Sequence, residues 1–136
     1  MKKSKILLVD DEPDIIYLVR RFLEREGYNV VEAYGGREAL RKTVQEQPDL
    51  ILLDVMMPDL DGWDVSRTLK TDDGTQHIPI VMLTVRASFD SQQKSFEYAY
   101  ADAHLAKPAS GKEIVSAVDS ALKNTGRDIE VAQLAA

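Results

Sequence analysis

The sequence predicts an α/β fold, a doubly wound parallel sheet with helices packed on both of its faces. Four short apolar runs, Ile6–Val9, Leu50–Leu53, Ile80–Leu83 and the weaker Ala103–Ala106, are separated by stretches whose apolar residues recur at helical spacing. Leu50–Leu53 shows none of the apolar–polar alternation of a half-solvated strand, so it reads as covered on both sides. Each run also ends at residues with chemistry: Asp10-Asp11, Asp54, Thr84 and Lys107. Parallel strands bring those five side chains to one sheet edge, where open α/β folds bind their ligands.

Element by element, Ile6–Val9 is the first strand, and Pro13 opens the helix after it, where a missing N–H costs nothing. Ile15, Leu18, Val19, Phe22 and Leu23 form the expected apolar face of that helix, opposite Arg20, Arg21, Glu24 and Arg25. Gly27 stops it. Tyr28–Ala33 reads as a second strand, and Gly35-Gly36 turns into a helix carrying Ala39, Leu40 and Val44 that ends before Pro48. After the third strand, Leu50–Leu53, comes a turn-rich loop, Met57–Gly62, then a helix with Trp63, Val65 and Leu69, broken at Asp72-Asp73-Gly74. The fourth strand is Ile80–Leu83, followed by a weakly patterned helix within Ser88–Tyr100 and a short strand about Ala103–Ala106. Ser110 and Glu113 have capping-box spacing, so the last helix starts there and buries Ile114, Val115, Val118, Ala121 and Leu122. Five such units fit the flavodoxin-like strand order 2-1-3-4-5.

At 136 residues the chain suits one domain, expected over 1–123, with 124–136 as a tail too short for an output domain. Gly126 and the mildly amphipathic Ile129, Val131 and Leu134 mark that tail, which reads as a frayed or helix-extending end rather than a docking peptide. The net charge of −6 argues against a sequence-independent grip on nucleic acid. Without cysteine there are no disulfides, thiolate metal sites or thiol nucleophiles. No apolar run is of membrane-spanning length, and the four apolar residues after Lys5 are too few for a secretory signal. The expected location is the cytoplasm.

Taken together, Leu8-Val9-Asp10-Asp11-Glu12-Pro13, Asp54 to Gly62 with its Met57-Pro58-Asp59-Leu60-Asp61 loop, Leu83-Thr84 and Lys107-Pro108 resemble the receiver domain of two-component response regulators, over about residues 4–123. The resemblance implies that Asp54 is the phosphoacceptor, attacking a phosphohistidine of a sensor histidine kinase or histidine phosphotransfer protein. It places Mg²⁺ among Asp10, Asp11, Asp54 and the Met56 backbone carbonyl. It has Lys107, joined to Pro108 by a cis bond, pairing with Asp54 and then with phosphoryl oxygens, and Thr84 donating its hydroxyl. The physical chemistry agrees. A carboxylate can act as a phosphoryl nucleophile. Close carboxylate pairs repel by about 4 kcal/mol at an effective dielectric near 20, which a divalent cation relieves, and all-oxygen ligation favours Mg²⁺ or Mn²⁺ over zinc. Asp59, Asp61 and Glu12 are read as loop and cap residues.

Three departures from the family pattern concern how a signal leaves. His104 stands where an aromatic usually serves as the rotating switch; it reads either as that switch, with a pH-sensitive output because a free imidazole changes charge near neutrality, or as a partly exposed strand histidine with no signalling role. Val85 replaces a small residue after Thr84 and is expected to narrow access to Asp54. Tyr100 and Ala109 replace a glycine and an aromatic near the surface of helix four, strand five and helix five, the surface that contacts partners in relatives. Downstream, the resemblance implies an unidentified protein target or onward phosphotransfer, with no direct contact to nucleic acid or membrane and a monomer or weak dimer.

Two other classes share parts of this pattern. A haloacid-dehalogenase-like Mg²⁺ phosphatase also uses Asp, Thr and Lys, but it opens with Asp-x-Asp where this chain has Asp10-Asp11-Glu12. A flavodoxin-type cofactor binder needs a phosphate-cradling loop where those carboxylates stand.

Overall fold

The computed structural model describes residues 4–85 and 88–135, with side chains described as far as residue 124. Five strands and five helices alternate: β1 (Lys5–Val9), α1 (Pro13–Arg25), β2 (Asn29–Ala33), α2 (Gly36–Glu46), β3 (Leu50–Leu53), α3 (Gly62–Lys70), β4 (Ile80–Thr84), α4 (Phe89–Glu97), β5 (Ala103–Ala106) and α5 (Gly111–Ala135). All pairings are parallel, in the order β2-β1-β3-β4-β5. This is the expected flavodoxin-like arrangement.

Alternate strand residues feed two cores, as the two-residue period of a strand requires. Leu7, Val9, Ile51, Leu53, Ile80 and Met82 face one side and meet Ala39 of α2, Trp63, Val65 and Leu69 of α3, and Ala99 and Ala101 after α4. Ile6, Leu8, Leu50, Leu52, Val81 and Leu83 face the other and meet α1 and α5. Because the central strands β1, β3 and β4 are buried on both faces, their apolar runs carry no polar alternation. The capping box forms: the Ser110 N–H donates to Glu113 Oε1 at 3.0 Å, and the Glu113 N–H donates to Ser110 Oγ at 3.1 Å.

Three helix faces differ in detail from expectation. On α1 the buried residues are Ile16, Val19 and Leu23, flanked by partly buried Ile15 and Phe22, while Leu18 is exposed. Leu18 lies about 100° round the helix from Val19, beyond the arc the sheet covers. On α2, Thr43 is buried and Val44 is 67% exposed. Thr43 tolerates burial because its hydroxyl donates to the Ala39 carbonyl at 2.7 Å. On α5, Ile114, Val118 and Ala121 are buried, with Val115 and Leu122 at the margin. The helix continues through the expected tail to Ala135; the side chains of Ile129, Val131 and Leu134 lie outside the described residues.

Candidate functional site

The sheet itself assembles the site. Val9 and Leu53 are register partners, and the next residue of each strand is an aspartate; the Asp54 N–H donates to the Val9 carbonyl at 3.0 Å. One strand over, Thr84 pairs with Ala106, and the Lys107 N–H donates to the Thr84 carbonyl at 2.8 Å. Asp10, Asp54 and Thr84 are therefore carried to one edge by backbone pairing, and all three are buried, while Asp11 is exposed. The Lys107–Pro108 bond is cis, as expected. Lys107 Nζ lies 2.5 Å from Asp10 Oδ2 and 3.4 Å from Asp54 Oδ2. The ammonium thus bridges the two strand ends and sits closer to Asp10 than to its expected partner, Asp54.

Burial pushes the Asp54 carboxyl above the ordinary aspartate range; the Asp10 charge adds to the push, while Lys107, the Met56 N–H and the Thr84 hydroxyl oppose it. For Lys107, burial pulls downward, but its bond to Asp10 and the charges of Asp54 and Asp10 outweigh it, so the ammonium is held above its usual range. Asp10, Asp11 and Glu12 each offer a carboxylate oxygen within 4.8 Å of the others. Glu12, read from the sequence as a cap residue, thus joins the acidic group, although it also precedes α1 at the N-cap position without a side-chain cap bond. This all-oxygen set beside a buried carboxylate fits a hard divalent cation such as Mg²⁺.

The loop from Asp54 to Gly62 is pinned at both ends. The Met56 N–H donates to Asp54 Oδ1 at 3.3 Å. The Gly62 N–H donates to the Val55 carbonyl at 2.8 Å, and a Cβ on Gly62 would lie 2.1 Å from the Asp54 carbonyl oxygen, so only glycine fits. Asp61 caps α3 by accepting from the Asp64 N–H at 2.9 Å. Asp59 accepts from the N–H groups of Gly36 and Arg37, both at 3.0 Å, and so caps α2 from another part of the chain. Both aspartates are cap residues, in agreement with their sequence reading.

His104 is half-buried on β5, and its Nδ1 lies 2.8 Å from Ser95 Oγ of α4, which also accepts from Trp63 Nε1 at 3.0 Å. Sequence reasoning missed Ser95, because a single serine in a weakly patterned helix carries no local signal. Val85 is 62% exposed. Tyr100 has φ 57°, the left-handed conformation that glycine adopts without cost, which accounts for the glycine common at that position. Its ring lies against Arg67 of α3, 5.2 Å from guanidinium carbon to ring centroid, and remains partly exposed. Ala109 packs, partly buried, on the α1–α5 core.

Residues 6–119 match the model of the response regulator receiver domain. The chain is 41% identical to the transcriptional regulatory protein ResD of Bacillus subtilis, over 92% of this chain and 50% of that protein. It is 40% identical to the phosphate regulon transcriptional regulatory protein PhoB of Pseudomonas aeruginosa, over 93% of this chain and 55% of that protein. It therefore spans about half the length of these curated relatives. Among solved structures, a putative response regulator from Chloroflexus aurantiacus superimposes with a TM-score of 0.85 at 32% identity, covering 90% of this chain and 99% of that one. The chemotaxis response regulator CheY4 of Vibrio cholerae does so with a TM-score of 0.82 at 30% identity, covering 88% and 99%. With the strand order, the three buried site residues and Lys107 across them, these matches show that the chain belongs to the response regulator receiver family of two-component systems.

Proposed function

We propose that this chain is a phosphorylation switch in which Asp54 accepts a phosphoryl group from the phosphohistidine of a sensor histidine kinase or histidine phosphotransfer protein. The observation that carries this reading is the Lys107 ammonium, 2.5 Å from Asp10 and 3.4 Å from Asp54, placed to follow the charge as it moves. An Asp54 carboxylate oxygen forms the new O–P bond while the P–N bond to the donor imidazole breaks, its electron pair staying with the imidazole nitrogen. Lys107 and the Thr84 hydroxyl then turn to the phosphoryl oxygens. Asp10, Asp11, Asp54 and the Met56 backbone carbonyl would hold Mg²⁺, which neutralises charge on the transferring group. The chain's catalysis is limited to its own phosphorylation and the later hydrolysis of the acyl phosphate.

In this reading Thr84 and His104 pass the change to the surface of α4, β5 and α5, which binds a protein target or supports onward phosphotransfer. The receiver unit is residues 1–123, with 124–136 outside it. It works in the cytoplasm as a monomer or weak dimer, with no direct contact to nucleic acid or membrane. Incubation with a labelled phosphodonor and Mg²⁺ should give stoichiometric, acid-stable and base-labile label that Asp54→Asn abolishes. Sustained turnover of a phosphomonoester without labelling would favour the phosphatase reading.

A further inference from the structure

We propose that Ser95 is a positioning residue that couples His104 on β5 to Trp63 on α3, so that a change at the site is read out on α3 as well as on α4. The inference rests on the reading of Asp54 as phosphoacceptor and of His104 as a residue that responds to it.

Ser95 is the one buried residue of α4, and it is 0% exposed. An indole N–H can only donate, so at 3.0 Å from Trp63 Nε1 the Ser95 oxygen is the acceptor. The serine oxygen retains a second lone pair and its own proton, so at 2.8 Å it can accept from or donate to His104 Nδ1 according to the imidazole tautomer, and either direction closes the bridge. One hydroxyl thus ties three elements together in a water-excluded place, where losing a partner is costly.

Both ends of the chain of bonds lead back to the site. His104 is the register partner of Met82, two residues before Thr84. Trp63 follows Gly62, which rests against the Asp54 carbonyl. The Lys94 ammonium lies 4.4 Å from the centroid of the Trp63 ring, so α4 grips the indole at a second point. With so little of α4 buried, displacement of the His104 ring must either break the Ser95 bond or carry α4 and the indole along.

Trp63 is the only tryptophan, so its signals need no label. The test follows the indole Nε1–H resonance and tryptophan emission before and after adding Mg²⁺ and beryllium fluoride, with fluorine NMR reporting the bound fluoride on Asp54. The wild type should load and both Trp63 signals should shift. Ser95→Ala should load equally and lose most of the shift. Ser95→Cys, which fills the same space but is a poor hydrogen-bond partner, should behave alike if the alanine variant folds badly. A wild-type indole that does not move on loading would overturn the coupling, as would a full shift in either variant. Failure of the wild type to load would overturn the Asp54 reading itself, and the coupling with it.

Discussion

Asp59 is exposed, yet its two carboxylate oxygens accept from the Gly36 and Arg37 N–H groups, which lie 23 and 22 residues away in sequence. Those backbone bonds hold its carboxyl below the usual aspartate range. A depressed folded pKa contributes stability above the unfolded value of about 3.9 and loses it as pH falls through the folded pKa. Asp59→Ala should therefore cost about 1 kcal/mol at neutral pH, as other cap deletions do. The difference should shrink in urea titrations carried down through the acid range. Val85 makes a second residue-scale prediction. Its side chain is exposed beside the site rather than packed away, and a β-branched group there should slow access to Asp54. Val85→Ala is expected to speed labelling by small phosphodonors or loss of the acyl phosphate, and unchanged rates for both would exclude such a gate.

At the scale of elements, α1 shows what periodicity can and cannot decide. Its apolar residues lie in a broad arc, but the sheet covers only the part centred on Ile16, Val19 and Leu23. Ile16→Ala should cost about 2–4 kcal/mol by leaving a cavity, whereas Leu18→Ala should change chemical stability by less than about 0.5 kcal/mol, as exposed substitutions do. Equal losses in denaturant unfolding would contradict the packing described here. The α2 helix makes the same point in reverse, since Thr43 is buried with its hydroxyl bonded to Ala39 while the apolar Val44 is exposed. In both helices the ends were legible, because turn residues and caps act locally. The exact buried arc was not, because it depends on the angle at which the helix meets the sheet.

For the whole molecule, the proposed Mg²⁺ site would link folding to function. Asp10 and Asp54 are buried side by side, with Lys107 as their shared cation. A divalent cation that binds only the folded state should stabilise it by mass action, about 1.4 kcal/mol at ten times its dissociation constant. Thermal unfolding should rise with added Mg²⁺ in the wild type and respond much less in Asp10→Asn. No helix among the described residues is long and apolar enough to cross a membrane.

By itself the sequence determined the five β/α units, the strand order and the placing of Asp10, Asp11, Asp54, Thr84 and Lys107 at strand ends, because short apolar runs bounded by turn residues and alternating with helix-period stretches fit parallel strands. Their chemistry-bearing residues must then meet at one edge. The tertiary structure alone decided the finer partners: Lys107 nearer Asp10 than Asp54, Asp59 capping α2, Tyr100 against Arg67, and Ser95 between Trp63 and His104. Those contacts join residues far apart in sequence through single polar groups, and periodicity is blind to which side chains packing brings within hydrogen-bonding reach.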